Sequence, residues 1–234
     1  MALQLIVTNF IRAFLAPFEE NSDKLKMLTV SFCKGLEEIE LSATNLTTLE
    51  VFGDRTNFNI VFSDVPNLQN VLCQKPCTSS FPDDLFKQFE NAAPQLQSLI
   101  LSSTTRLLKY IPSSIATFGN LKQLEFIFYS GNEPYNIWKI IPVLIACPLL
   151  QIFNLTIRLG IHLYDAVNIE ERTMKEIQKY HYSRLKEVEI GGFQGTETQL
   201  ALALYFLKNA VELERMVISS CFWEYLTSSK RTYH

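Results

Sequence analysis

Histidine is scarce in this chain, with three residues in 234, at positions 162, 181 and 234. No two of them stand at metal-ligating spacing, and none belongs to a G-x-S-x-G or comparable nucleophile turn. The commonest general base and the commonest zinc ligand are therefore both missing, so the chain is not expected to be an enzyme. His181 falls at the end of an expected helix, where its charge suits the helix dipole, and His162 lies beside Tyr164 and Asp165 in an expected loop.

Cysteine is thin as well: five residues, at 33, 73, 77, 147 and 221, odd in number and widely scattered. That excludes a disulfide framework and points to a reducing compartment, so an intracellular location, cytoplasm or nucleus, is expected. Cys73 and Cys77 make one C-x-x-x-C without a second pair to close a zinc site, and neither metal nor cofactor is expected. Basic charge is also short. A net charge of -3, with Lys230 and Arg231 in a polar tail as the only basic cluster, excludes a nucleic-acid binder that works by neutralising phosphates. Long apolar runs are missing too: no stretch approaches the roughly 18 residues of a membrane span. The apolar start from Ala2 to Val7 has no preceding basic residue, is followed by Arg12 and lacks a small-x-small cleavage site, so it does not read as a secretory signal. Gly191, Gly192 and Gly195 match neither G-x-G-x-x-G nor a P-loop and are read as a tight strand-to-helix turn.

Repetition is what the chain has in plenty. An L-x-x-L-x-L-type hexad recurs nine times: Leu25/Leu28/Val30, Leu36/Ile39/Leu41, Leu46/Leu49/Val51, Leu68/Val71/Cys73, Leu96/Leu99/Leu101, Leu121/Leu124/Phe126, Leu150/Phe153/Leu155, Leu185/Val188/Ile190 and Leu213/Met216/Ile218. The fourth and sixth positions alternate, so they share one face of a strand, and the other face shows residues such as Thr29, Glu40, Glu50, Ser98, Glu125, Asn154, Glu187 and Glu189. Cys33 and Cys221 follow their hexads at one common offset, where a buried core thiol is expected. Starts at Leu25, Leu46 and Leu68 are 21 and 22 residues apart, with Leu36/Ile39/Leu41 midway as a return strand; later starts are separated by 25 to 35 residues, which leaves room for helices. The expectation is an α/β fold, a leucine-rich-repeat solenoid with a curved parallel sheet, strand returns early and helical returns later.

Four helical stripes follow from the periodicity: Leu85, Phe89, Ala92 and Ala93, ended by Pro94; Ile137, Trp138, Ile141, Leu144 and Ile145, where Pro142 must kink the helix or begin a new turn; Ile169, Met174, Ile177 and Tyr180; and Leu200, Ala203, Leu204, Leu207 and Val211 behind a Thr196/Gln199 capping box. A fifth, with Leu3, Val7, Phe10, Phe14 and Phe18, is expected to cap the first rung, so residues 1–24 are read as an N-terminal capping helix.

Three stretches carry a family resemblance. LKMLTVSFCKGLEEIELSATNLTTLEVFG, from Leu25 to Gly53, resembles the opening repeats of plant F-box/LRR proteins; IPSSIATFGNLKQLEF, from Ile111 to Phe126, is similar to plant-type repeats; LKEVEIGGFQGTETQLALALYFLKNAVELERMVI, from Leu185 to Ile218, closely resembles the FBD region of the plant F-box/FBD/LRR family. The resemblance implies a solenoid over 25–184, an FBD-like strand-helix-strand unit over 185–222 that continues it, and a polar tail over 223–234. It also implies a protein-protein interaction module, the substrate-recognition part of an F-box-type ubiquitin ligase receptor. Nothing from Met1 to Lys24 resembles an F-box, so the cullin ligase adaptor is an expected partner only if a longer form supplies one. Exposed residues between the apolar positions would hold the unknown protein target: Glu50, Gln97, Ser98, Lys122, Glu125, Asn154, Lys186, Glu187 and Glu189. The alternative is an extracellular plant repeat protein that inhibits enzymes or senses ligands. The sequons Asn45-Leu-Thr and Asn154-Leu-Thr would support it, and their positions in or beside strands weigh against it.

Overall fold

The computed structural model describes residues 2–5, 12–15, 24–33, 36–53, 58–74, 85–112, 114–129, 135–158 and 180–220. Nine parallel strands form one sheet in the order β1 (Ala2–Leu5), β3 (Met27–Ser31), β5 (Thr48–Phe52), β7 (Asn70–Gln74), β8 (Ser98–Thr104), β9 (Gln123–Tyr129), β10 (Ile152–Arg158), β11 (Glu187–Gly191) and β12 (Arg215–Ser219). A second sheet of three parallel strands, β2 (Arg12–Leu15), β4 (Glu38–Ser42) and β6 (Asn59–Asp64), carries the early returns. Among the described residues, the later returns contain helical turns, as the lengthening repeat period predicts.

The hexad is legible in the hydrogen bonds. Its two residues before the fourth position donate both N–H groups to one carbonyl of the preceding rung: Gln97 and Ser98 to Gln69 at 2.8 and 3.0 Å, Lys122 and Gln123 to Gln97 at 2.8 and 3.0 Å, Lys186 and Glu187 to Gln151 at 2.8 and 3.0 Å. This holds each strand in register, so Leu28, Leu49, Val71, Leu99, Leu124, Phe153 and Val188 stack as one row, none more than 2% exposed. A turn precedes most hexads, as where Leu68 N–H bonds Val65 and Leu150 N–H bonds Cys147. Among the described residues, the residue three before the hexad is buried, as Ala43, Val65, Ala93, Phe118, Cys147, Tyr182 and Ala210 show.

Where the rung is short, at 21 or 22 residues, the return is extended; once the period reaches 25 residues, the surplus is taken up in helical turns, which in an α-helix rise only about 1.5 Å per residue against about 3.3 Å in a strand. The switch leaves β6 with an unpaired edge, and amide side chains of the next return cover it. Gln88 accepts from Ile60 N–H at 3.2 Å, Asn91 donates to the Phe62 carbonyl at 3.2 Å and Gln95 to the Val65 carbonyl at 2.9 Å. The 88, 91, 95 spacing puts the three amides on one side of the α1 (Leu85–Gln88) turn and its continuation.

Two sequence expectations need correction. Residues 2–5 and 12–15 are strands, not part of a capping helix: β1 pairs with β3 at Leu3↔Leu28 and Leu5↔Val30, and β2 with β4 at Ala13↔Ile39 and Leu15↔Leu41. The solenoid therefore has a rung before Leu25. Ladder bonds to β3 and β4 outweigh a helical periodicity that has only local bonds to offer. The second correction concerns α3 (Glu197–Asn209), whose leucine stripe faces outward: Leu200, Leu204, Leu207 and the following Val211 are 48%, 63%, 57% and 73% exposed. Of the expected stripe Ala203 is buried, and Leu202, Tyr205 and Phe206 pack inward beside it. Aromatic stacking decides this, because Tyr205 meets Trp138 at 5.7 Å and Phe206 meets Phe153 at 5.4 Å between ring centroids. Thr196 caps α3 as expected, accepting from Gln199 N–H at 3.3 Å, but the Gln199 side chain accepts from Gln194 N–H at 2.8 Å rather than closing a capping box.

The other stripes fare better. Phe89, Ala92 and Ala93 are buried, although the regular helix ends at Gln88. Ile137–Ile140 is a 3-10 turn from which α2 (Ile141–Ile145) starts afresh, with Pro142 in its first turn. Ile169, Met174 and Ile177 lie outside the described residues.

Phe206→Ala is expected to cost about 3–5 kcal/mol in urea unfolding, and Leu204→Asn less than about 0.5 kcal/mol. The opposite order would mean that the leucine stripe is the packing face.

Candidate functional site

The nine-stranded sheet has one face on the core and the other open, and strand alternation assigns each residue to a face. Of the residues named from sequence, Ser98, Glu187, Glu50, Glu125, Asn154 and Glu189 stand on the open face in two adjacent rows. Gln97, Lys122 and Lys186 stand one residue before their strands, along its N-terminal border. All nine thus belong to one surface drawn from five rungs.

Their environments differ. Glu50 accepts a hydrogen bond from the Thr29 hydroxyl at 3.1 Å. At the far end the charges meet in pairs, Lys186 with Glu214 at 2.7 Å and Arg215 with Glu187 at 3.1 Å. The hydrogen bond to Glu214 raises the Lys186 pKa, but both pairs lie in solvent and contribute little to stability. Glu125, in the middle, is only 6% exposed although it points away from the core. Arg158 lies over the Tyr129 ring, 5.3 Å from its centroid, at the C-terminal border of the face.

Polarity was the criterion applied to the sequence, and it missed the apolar part of the surface. Leu72 and Ile100 are register neighbours in the row of Glu50 and Glu125, and Ile127 stands in the next row; all three are half-buried. Phe52 and Tyr129 extend the same face. The sequence carries a signal for them: in Val71-Leu72-Cys73, Leu99-Ile100-Leu101 and Phe126-Ile127-Phe128 the apolar-polar alternation gives way to a continuous apolar run.

Glycine at 191 has a packing reason: a Cβ there would stand 3.1 Å from the Thr156 hydroxyl oxygen on the neighbouring strand. Gly192 and Gly195, with φ of 70° and 74°, form the expected turn into α3. Cys33, Cys73 and Cys147 are buried and form no disulfide; Cys77 and Cys221 lie outside the described residues, as do His162, Lys230 and Arg231. Among the described residues, no group of three or more His, Cys, Asp and Glu could hold a metal ion, and no helix is long and apolar enough to cross a membrane. Asn45 is exposed in the turn between β4 and β5, whereas Asn154 is half-buried on the open face.

A family model described as At1g61320/AtMIF1, LRR domain, matches residues 2–233. No curated protein and no solved structure matches the chain.

Burial pushes the Cys147 thiol up to about 12, and burial followed by the neighbouring Tyr205 raises the Tyr182 phenol. An unfolded thiol ionises near about pH 8.5, so above that pH the unfolded chain holds fewer protons than the native one and stability falls. The unfolding free energy should stay level up to about pH 8.5 and then decline, with Cys147 contributing at most about 1.4 kcal/mol per pH unit. Cys147→Ala should flatten the alkaline limb of a urea-unfolding series; an unchanged slope would remove the thiol as its cause.

Proposed function

The chain belongs to the leucine-rich-repeat family described as At1g61320/AtMIF1, LRR domain, and on that premise we propose that it is a protein-protein interaction module whose partner lies across the open face of the sheet. The observation that carries this reading is the apolar centre formed by Leu72, Ile100 and Ile127 within a polar surround. These side chains add nothing to the core they face away from, and a partner that removes them from water is stabilised by doing so. The surface spans several rungs of a continuous sheet, which suits a protein segment better than a small molecule.

Within that class, the proposed role is target recognition for an F-box-type ubiquitin ligase. Its support is the resemblance of Leu185–Ile218 to the FBD region, a stretch that forms β11, α3 and β12 and continues the solenoid. A longer form would supply the F-box and with it the cullin ligase adaptor. The proposed module is non-enzymatic, needs no cofactor, binds neither nucleic acid nor membrane, and works in the cytoplasm or nucleus, where thiols such as Cys33, Cys73 and Cys147 stay reduced. One observation favours the extracellular alternative, the exposed turn position of Asn45 in its sequon. Intact-mass measurement on protein from the native tissue decides between them, since a glycan on Asn45 would overturn the intracellular assignment.

Affinity capture with the tagged chain should retain a set of proteins that Ile100→Arg loses while its thermal unfolding midpoint stays near the parent's. Identical captured sets would remove the open face as the binding surface. For the ligase role, overexpression of the chain should lengthen the half-life of captured proteins by competition, and an unchanged half-life counts against it.

A further inference from the structure

We propose that the open face holds an amphipathic helix of the protein partner, laid across the rungs from β3 to β9 and clasped at its ends by Phe32 and Tyr129, an inference that rests on the reading of this face as an interaction surface. Among the described residues, these are the two exposed aromatic side chains, at 60% and 36%. Both stand on the C-terminal border of the face, one at each end of an apolar track. From Phe52 the track passes to Leu72, Ile100 and Ile127, each in register with the next or diagonal to it.

Phe32 is held at its place against the preference of its backbone. Its φ of 51° is the one positive value outside glycine among the described residues, and the step after β11 meets the same need with Gly192, at φ 70°. The left-handed turn serves the core, because Cys33 follows it inward and is 3% exposed. Glycine would make that turn without strain. A strained phenylalanine that is mostly in water adds little to folding and offers a partner an apolar anchor.

The occupant has to bring its backbone polar groups already bonded, because the track presents hydrocarbon and aromatic ring to them. A helix does so within itself, and an isolated extended segment does not. Four strand steps of about 4.8 Å separate β3 from β9, a distance that a helix of roughly 13 residues spans. Charge sets its orientation. The exposed Lys26 and Lys122 stand on the opposite, N-terminal border at the same two end rungs, with the uncharged Thr47, Gln69 and Gln97 between them. Acidic residues along one edge of the helix would meet both lysines. The carboxylates of these rungs lie in the middle row, where Glu50 accepts from Thr29 and Glu125 is 6% exposed, and they keep the acids of the partner to that edge.

The probe is a peptide selected on the intact chain from a phage-displayed library of random sequences about 16 residues long, then synthesised with a fluorescent label and titrated by anisotropy. Selected sequences should place apolar residues at helical spacing beside acidic ones, and the peptide should gain helical circular dichroism on binding. Phe32→Gly and Tyr129→Ser should each weaken binding at least about tenfold, while the urea midpoint of Phe32→Gly stays at or above the parent's. Lys26→Glu and Lys122→Glu should each weaken it severalfold, and less at high salt. A proline-rich or strand-alternating consensus overturns the helix. Affinity indifferent to Phe32→Gly, or a fall in the urea midpoint of that variant, overturns the clasp. A library that yields no binder overturns the site as a whole; the interaction module itself falls only if affinity capture is also indifferent to Ile100→Arg.

Discussion

The molecule depends on a single backbone arrangement, in which two successive N–H groups of one rung meet one carbonyl of the rung before. From Lys26 through Thr47, Gln69, Gln97, Lys122, Gln151 and Lys186 the acceptor of one pair lies beside the donors of the next. The chain of contacts sets the register, and register decides which side chains share the core row and which share the open face. A rung slipped by one residue would exchange Leu99 for Ile100 and turn the core outward. A single rung cannot bury its apolar row alone, so stability accumulates by stacking.

That arrangement also explains how a surface comes to exist. Because every strand is parallel and in register, residues distant in sequence, such as Glu50, Ile100, Glu125 and Glu189, are brought into one row by strand pairing alone. The core and the returns carry the folding energy, in the aromatic contacts of Trp138, Phe153, Tyr182, Tyr205 and Phe206 above all. The open face's half-buried Leu72, Ile100 and Ile127 are features that a sheet built only for stability has no reason to keep on its solvent side.

Most strands were legible because the hexad states both where a strand lies and which face it buries, and the change from strand to helical returns was legible in the repeat period. The rung before Leu25 was not. Leu3 and Leu5, with Ala13 and Leu15, repeat the alternation of Leu28 and Val30, with Ile39 and Leu41, but they overlap a helical stripe, and only pairing with β3 and β4 resolves the two periods. In α3 the leucine stripe is regular enough to mark a packing face, yet the bulky aromatic side takes the core because Trp138 and Phe153 lie opposite it. The nine polar candidates were placed on one surface by spacing alone. Leu72, Ile100 and Ile127 escaped because an apolar residue in an apolar run is read as core until the strand's face is known.

The sequence by itself determined the solenoid, the strand positions, the change of return and the surface to which the polar candidates belong, since these depend on period and local hydrogen bonding. Only the tertiary structure decided that a rung precedes Leu25, which side of α3 packs, that amides at 88, 91 and 95 cover the edge of β6, and that Ser102 and Glu125 lie sunk between isoleucines on the open face. Each of these turns on what stands across from a residue in another rung. A period along the chain carries no information about that neighbour until the rungs are stacked.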